Sequence, residues 1–192
     1  MDVDFVSGGE RRDFFFSMPV ARRLGLGPLS IFKDLSSVYT GPDGRSVPSE
    51  QAGLAGKRSV HIADLITVAS SYVRAWIPAV EALGAKIAYS LAVVDRDQGG
   101  SQILADAGCP LTTLVVIKPE LFETAYSMGR ITQKQLDLVL SFIADPDRFM
   151  TDFLLAHPDF LANEIAKGGK SAQRARLCID SGFAPEAALP KA

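Results

Sequence analysis

Cysteine is nearly missing from this chain, and its scarcity excludes two architectures. Cys109 and Cys178 are the only two; they stand far apart, and neither has a C-x-x-C partner or a histidine-rich neighbourhood. Neither a disulfide framework nor a zinc site is indicated, and both read as reduced structural thiols. An excess of positive charge is also missing. The formal net charge is -2, which gives no global attraction for nucleic acid or an anionic membrane surface, so any anion must be met by a local cluster. Long apolar runs are absent as well. No segment approaches the length needed to cross a bilayer, and the opening MDVDFVSGGERRDF is acidic and then only briefly apolar, unlike a secretory leader. These absences set the expectation of a cytoplasmic protein with no nucleic-acid or membrane partner.

What is present is a core. With 192 residues, 47% of them hydrophobic, the chain can bury one sizeable interior and carry an appendage. Strand-like and helix-like segments alternate through the first 120 residues, the pattern of an α/β sheet with crossover helices. The strands read as 3–8, 29–34, 57–65, 85–95 and 110–118. Helices read as 13–24, stopped by Gly25, then 70–85 with Pro78 as a kink or early turn, and 99–108. Residues 35–56 are rich in Gly, Pro, Ser and Asp and show no period, so they read as a long loop, a length that usually marks a functional lid or disorder. From Pro119 the pattern is helical throughout, broken at Asp-Pro and His-Pro dipeptides. The expected fold class is therefore α/β: a mostly parallel five-stranded sheet flanked by helices over residues 1–118, and a helical C-terminal extension over 119–192.

In open α/β sheets ligands sit beyond the carboxyl ends of the strands. Four polar or small-residue stretches fall there: SGGERR (7–12), the long loop, ADLITVASS (63–71) and DRDQGG (95–100). The third is the most informative. A strand, a turn of small residues and a helix start would gather backbone N–H groups and the hydroxyls of Thr67, Ser70 and Ser71 around one point of positive potential, a phosphate cradle. The plainer reading is that Thr67 or Ser70 merely caps the helix. Asp64 cannot ligate a phosphate, but its carboxylate would accept hydrogen bonds from neutral hydroxyls such as those of a sugar.

The order apolar strand, acidic residue, Thr, small residues, Ser resembles the phosphoribosyl pyrophosphate (PRPP) motif of the type I phosphoribosyltransferases. SGGERRDFFFSMPVARRLG, IFKD and VVDRDQGG resemble, in order, the pyrophosphate loop with its helix, the following strand that ends in a basic residue, and the arginine segment of the orotate branch. The match covers residues 3–118. It implies that Asp64 binds the ribose hydroxyls and that Thr67, Val68, Ala69, Ser70 and Ser71 form the 5′-phosphate loop. It further implies that Gly8, Gly9 and Glu10 form the pyrophosphate loop, that Lys33 and the loop cation Arg45 counter the pyrophosphate charge, and that Arg96, with Thr67, recognises the base. The implied reaction is transfer of the phosphoribosyl group from PRPP to orotate, giving orotidine 5′-monophosphate and pyrophosphate. Mg²⁺ would be held mainly by PRPP and water, and the protein would be a homodimer.

The chain departs from the family pattern at several places, among them the phosphate loop, where Ala69 and Ser70 replace the family's glycines. Ala63 stands where the family usually has a first acidic residue, and residues 35–56 contain Arg45 as their only cation and no histidine. These motivate a second reading, a catalytically degenerate relative that binds PRPP or a nucleotide in a sensing or structural role. The remaining conspicuous residues have plainer explanations: His61 as a strand histidine, His157 at a turn before Pro158, Phe14 to Phe16 as core or dimer contacts, and Trp76 as packed. Arg11 and Arg12 read either as a solvated charge pair or as phosphate ligands.

Overall fold

The computed structural model describes residues 2–189, which divide between Ile117 and Lys118 into two compact units. Among the described residues the first unit carries seven strands in one sheet: β1 (Phe5–Gly9), β2 (Gly27–Ile31), β3 (Ser37–Thr40), β4 (Ser46–Pro48), β5 (Arg58–Ile66), β6 (Lys86–Asp95) and β7 (Leu111–Val116). Their order is β4-β3-β2-β1-β5-β6-β7, parallel from β2 through β7 and antiparallel at the β3 and β4 edge. This is the mixed α/β architecture expected, with two strands more than the five read from the sequence.

The two extra strands replace the expected loop. Residues 35–56 are not structureless: Ser37–Thr40 and Ser46–Pro48 pair as a hairpin that continues the sheet, followed by a 3₁₀ turn at Ser49–Gln51. Four- and three-residue strands show little of the two-residue alternation that marks a strand in sequence, and their ladder is supplied by β2. The turn Gly41–Arg45 that joins them is tied by Gly41 N–H to the Arg45 carbonyl at 2.8 Å. Lys33, expected at the end of a strand, lies in the turn beyond β2, because the Phe32 N–H donates to Ser36 O and the chain reverses there.

Side-chain alternation along the strands sorts the core onto two faces. Phe5, Leu29 and Ile31 point one way, into a cluster with Trp76, Val80, Ile87 and Leu104. Val6, Val60 and Ile62 point the other way, against Ala21 of helix α1 (Phe14–Leu24). Gly25 ends α1 at φ 67, a left-handed value that only glycine adopts freely. The helix that follows β5 is a wide π turn over Tyr72–Trp76 running into α2 (Ile77–Glu81). The Ile77 N–H donates to Tyr72 O, five residues back. Opening the turn by one residue accommodates the Pro78 ring, which in a regular helix would collide with the carbonyl four residues earlier. A short α3 (Gly100–Asp106) follows β6.

The second unit is helical: α4 (Pro119–Ser127), α5 (Gln133–Ala144), α6 (Pro146–Ala156), α7 (Phe160–Ala166) and α8 (Gly169–Asp180). Its own core gathers Leu154, Leu161, Ala175 and Ala188. The breaks follow their sequence signals. Thr132 and Gln135 form a capping box that opens α5, and Asp145 caps α6 through the Arg148 N–H at 2.9 Å, with Pro146 in the first turn where a missing N–H costs nothing. His157 ends α6. Among the described residues no helix is long and apolar enough to cross a membrane.

Candidate functional site

The strand order places a crevice in the sheet. From β1 the chain crosses to β2 on one side, whereas from β5 it crosses to β6 on the other, so connections diverge at the β1/β5 boundary. Such a reversal leaves a gap beyond the carboxyl ends of the two strands, where the sheet itself cannot supply cover. β1 and β5 pair only at Phe5↔Ser59, Val6↔Val60 and Ser7↔His61, then each continues with its other neighbour alone. A cavity of about 1070 Å³ opens above this split.

Glu10, Lys33, Asp64 and the whole turn 67–71 line that cavity. Gly8 and Gly9 are buried at the end of β1, beneath it. Gly8 and Gly9 are therefore not among its walls, and neither are Arg45 and Arg96. Arg45 sits in the turn of the β3–β4 hairpin, ion-paired with Asp43 at 3.7 Å, and Arg96 is exposed at the start of the turn after β6, its backbone N–H donating to Ile66 O at 3.0 Å.

The turn after β5 is built to leave donors free. Ile66 O and Thr67 O accept from Arg96 and Gly100 N–H in the neighbouring turn. Ala69 adopts φ 49, a left-handed conformation that swings the chain into the helix and buries its methyl group. Among the described residues no protein acceptor bonds the backbone N–H groups of Val68, Ala69, Ser70 and Ser71. No side chain caps the helix start, so the capping reading of Thr67 and Ser70 does not describe this turn. Four free N–H groups at a helix N-terminus, beside the exposed Ser70 and Ser71, form a site of positive potential suited to an anion.

Asp64 lines the same cavity. Its Oδ2 lies 3.0 Å from Arg12 Nε, and the Asp64 side chain is 21% exposed. Burial, together with the neighbouring Asp13 charge, pushes its carboxyl above the usual carboxylate value, against the pull of Arg12. Asp13 behaves in the opposite sense. Burial pushes its carboxyl up, but the nearby His61 ring and the N–H groups of Asp64 and Gly9 outweigh this and hold it below the usual value. Its Oδ1 accepts from Asp64 N–H at 2.9 Å and its Oδ2 from Gly9 N–H at 3.1 Å. Behind it, fully buried His61 places Nε2 3.8 Å from Asp13 Oδ2 and Nδ1 3.0 Å from Ser7 Oγ.

Asp13 and Arg12 are the residues that sequence reasoning undervalued. Asp13 stands just before an apolar helix, the place of an N-cap, yet its backbone is already helical and its side chain makes no cap bond. The available signal was the spacing of an acidic residue four positions after Gly9, close enough to turn back on the strand end. His61, read as a plain strand histidine, lies under the crevice in contact with this carboxylate. Lys33 reaches the cavity by a second tether, its N–H donating to Glu10 Oε2 at 3.1 Å.

No protein-family model matches the chain. A stretch of 61 residues, 32% of this chain, is 41% identical to the orotate phosphoribosyltransferase of Rhodopseudomonas palustris strain BisB5, covering 32% of that protein. A stretch of 63 residues is 38% identical to the protein of the same name from Rhodopirellula baltica, covering 33% of this chain and 32% of that one. The match thus spans about a third of the length of these curated relatives. The UMP synthase structure of Leishmania donovani superposes with a TM-score of 0.59 at 17% identity, over 75% of this chain and 30% of that one, a likeness that concerns the fold. The chain has the fold of the type I phosphoribosyltransferases and carries a stretch of sequence related to orotate phosphoribosyltransferases.

Proposed function

We propose that the protein binds PRPP in the crevice between β1 and β5 and transfers its phosphoribosyl group to orotate. The observation that carries this reading is the set of free N–H groups over residues 68–71, facing a cavity whose other walls hold Asp64 and Lys33. The 5′-phosphate rests on those N–H groups and the hydroxyls of Thr67, Ser70 and Ser71. The ribose hydroxyls donate to Asp64, which exchanges Arg12 for them. The pyrophosphate lies over the β1 end, with Lys33 and the released Arg12 as its cations. Arg96, outside the cavity walls, reaches the base carboxylate. In the reaction the bond from ribose C1 to a pyrophosphate oxygen breaks with its electron pair leaving on pyrophosphate, the base nitrogen bonds C1, and the nitrogen's proton passes to water. Holding the partners in place and neutralising the leaving group supply the acceleration.

Among the described residues no three His, Cys, Asp or Glu side chains are grouped to hold a metal ion. Mg²⁺ fits this site as an ion carried by PRPP oxygens and water, with Glu10 and Asp64 the carboxylates that would hold its water. When bound, it neutralises part of the pyrophosphate charge. The proposed assembly is a homodimer.

A second reading, a binding relative without catalysis, is favoured by one observation. The segment 35–56 is a short hairpin whose only cation is tied to Asp43, which leaves the leaving group with fewer charges against it. Calorimetric titration with PRPP and Mg²⁺, followed by an orotate-consumption assay, separates the two. Heat with turnover supports the transferase, heat without turnover supports the second reading, and a folded chain that gives no heat overturns both. Arg96→Ala is expected to cut orotate turnover about tenfold, by loss of a charge-assisted hydrogen bond, without changing the PRPP heat.

A further inference from the structure

The two strands that frame the cavity are not joined to each other at its level. Their ladder ends at Ser7↔His61, yet the pyrophosphate-side backbone at Gly9 and the ribose-side backbone at Asp64 lie beyond that point. One side chain spans the gap: the Asp13 carboxylate takes the N–H of Gly9 on one oxygen and the N–H of Asp64 on the other. Gly9 is wedged from the opposite side, where a Cβ added to it would fall 2.4 Å from the Trp76 indole carbons. Asp13 is itself buried, backed by His61, and its Cβ lies under Gly8.

We propose that Asp13 is a positioning residue: its carboxylate sets the separation of the Gly9 and Asp64 backbones at the strand split, and so the spacing between the two halves of the cavity. The proposal rests on the reading that this cavity takes PRPP, because the spacing matters only to a ligand that touches both walls. A carboxylate suits this task because it accepts two N–H bonds at once and donates none, whereas an amide of the same shape turns one N–H₂ toward an N–H and must release it.

Asp13→Asn tests this on the full chain with three readouts. In the ligand-free protein, hydrogen exchange at the Gly9 and Asp64 N–H groups should quicken for at least one of the pair by roughly tenfold or more, while Val6 and Val60 in the paired ladder stay protected. PRPP with Mg²⁺ should bind roughly tenfold more weakly or worse. Inorganic phosphate, which needs only the turn 67–71, should bind as in the unaltered chain, an outcome that general loss of structure would not give. Unchanged exchange at both N–H groups, or unchanged PRPP affinity, overturns the proposal. If the unaltered chain binds phosphate but not PRPP, the functional reading fails while exchange still decides the clamp.

Should Asp13→Asn fail to fold, the unaltered chain supplies the test. The titratable and charged groups facing Asp13 are His61, Tyr72, and Asp64 with its partner Arg12. The Gly9 amide proton should move upfield as the Asp13 carboxylate is protonated on acidification, and a Gly9 resonance that ignores that step overturns the clamp.

Discussion

The turns after β5 and after β6 begin alike and end differently. Each follows a buried parallel strand, each leads into a helix, and each contains a non-glycine residue at positive φ, Ala69 at 49 and Asp97 at 57. After β6 three N–H groups are spent on protein acceptors, those of Arg96, Asp97 and Gly100, while those of Gln98, Gly99, Ser101 and Gln102 have none among the described residues. Asp97 N–H is taken by the Asp95 carboxylate at 2.9 Å, while those of Arg96 and Gly100 bond Ile66 O and Thr67 O. After β5 the carbonyls of Ile66 and Thr67 are taken by that neighbouring turn, and the four consecutive N–H groups of 68–71 are left free. The second turn therefore buttresses the first: it satisfies the acceptors of the β5 turn and leaves its donors for something from outside. A buried polar group left without a partner is costly, so free donors persist only where solvent or a ligand reaches them.

The sharpest way to break this arrangement substitutes a residue that is not itself a wall of the cavity. Gly100→Ala would place a Cβ 2.5 Å from Ile66 Cγ2 and 2.6 Å from Thr67 O, and backbone cannot yield as a flexible side chain would. It is expected to cost about 1–3 kcal/mol of stability in urea unfolding and to weaken phosphate binding at the neighbouring turn, because the two turns move apart. Phosphate binding that survives Gly100→Ala would show that the buttress is not needed.

Asp64→Asn separates the ribose wall from the phosphate wall. PRPP affinity should fall about tenfold to a hundredfold with the loss of a charged acceptor, phosphate affinity should hold, and stability should change by less than about 1 kcal/mol, because the Arg12 partner is exposed. Acidification gives the same distinction without a mutation. The raised Asp64 carboxyl takes its proton at a higher pH than an ordinary carboxylate, so PRPP affinity should begin to fall above that ordinary midpoint, and this component should vanish in Asp64→Asn.

Stability carries two opposed slopes. Asp13, depressed in the native state, stabilises above its unfolded value, and that contribution is lost as pH falls through its native value. Asp64, raised in the native state, destabilises at neutral pH, and that burden lifts on acidification. Urea midpoints across acidic pH should therefore fall more steeply for Asp64→Asn and less steeply for Asp13→Asn than for the unaltered chain. The smallest effect is expected at Asp97→Gly. Its exposed side chain holds nothing, and the left-handed φ suits glycine, so stability should stay within about 1 kcal/mol and PRPP affinity should not move.

Local signals were legible where they were dense. The buried run of β6, the glycine stop of α1 and the Asp-Pro break before α6 each announce themselves within a few residues, because propensity, capping and proline sterics act over one turn of chain. The β3–β4 hairpin did not, since its short strands exist by pairing with β2. The turn after β5 was readable as a run of small hydroxyl residues following an acidic one. Nothing in that run, however, distinguished donors spent on a helix cap from donors left open.

Asp13 is the clearest case of the limit. Its position in the chain says helix start, and its role is set by the departure of β5 from β1, a partner 51 residues away. Residue order by itself determined the five parallel strands, which residues could meet an anion, and that an acidic group stands beside them. Only the tertiary structure decided which N–H groups go unsatisfied and which carboxylate spans the split, because both depend on the strand order, which brings together groups that no local interaction relates.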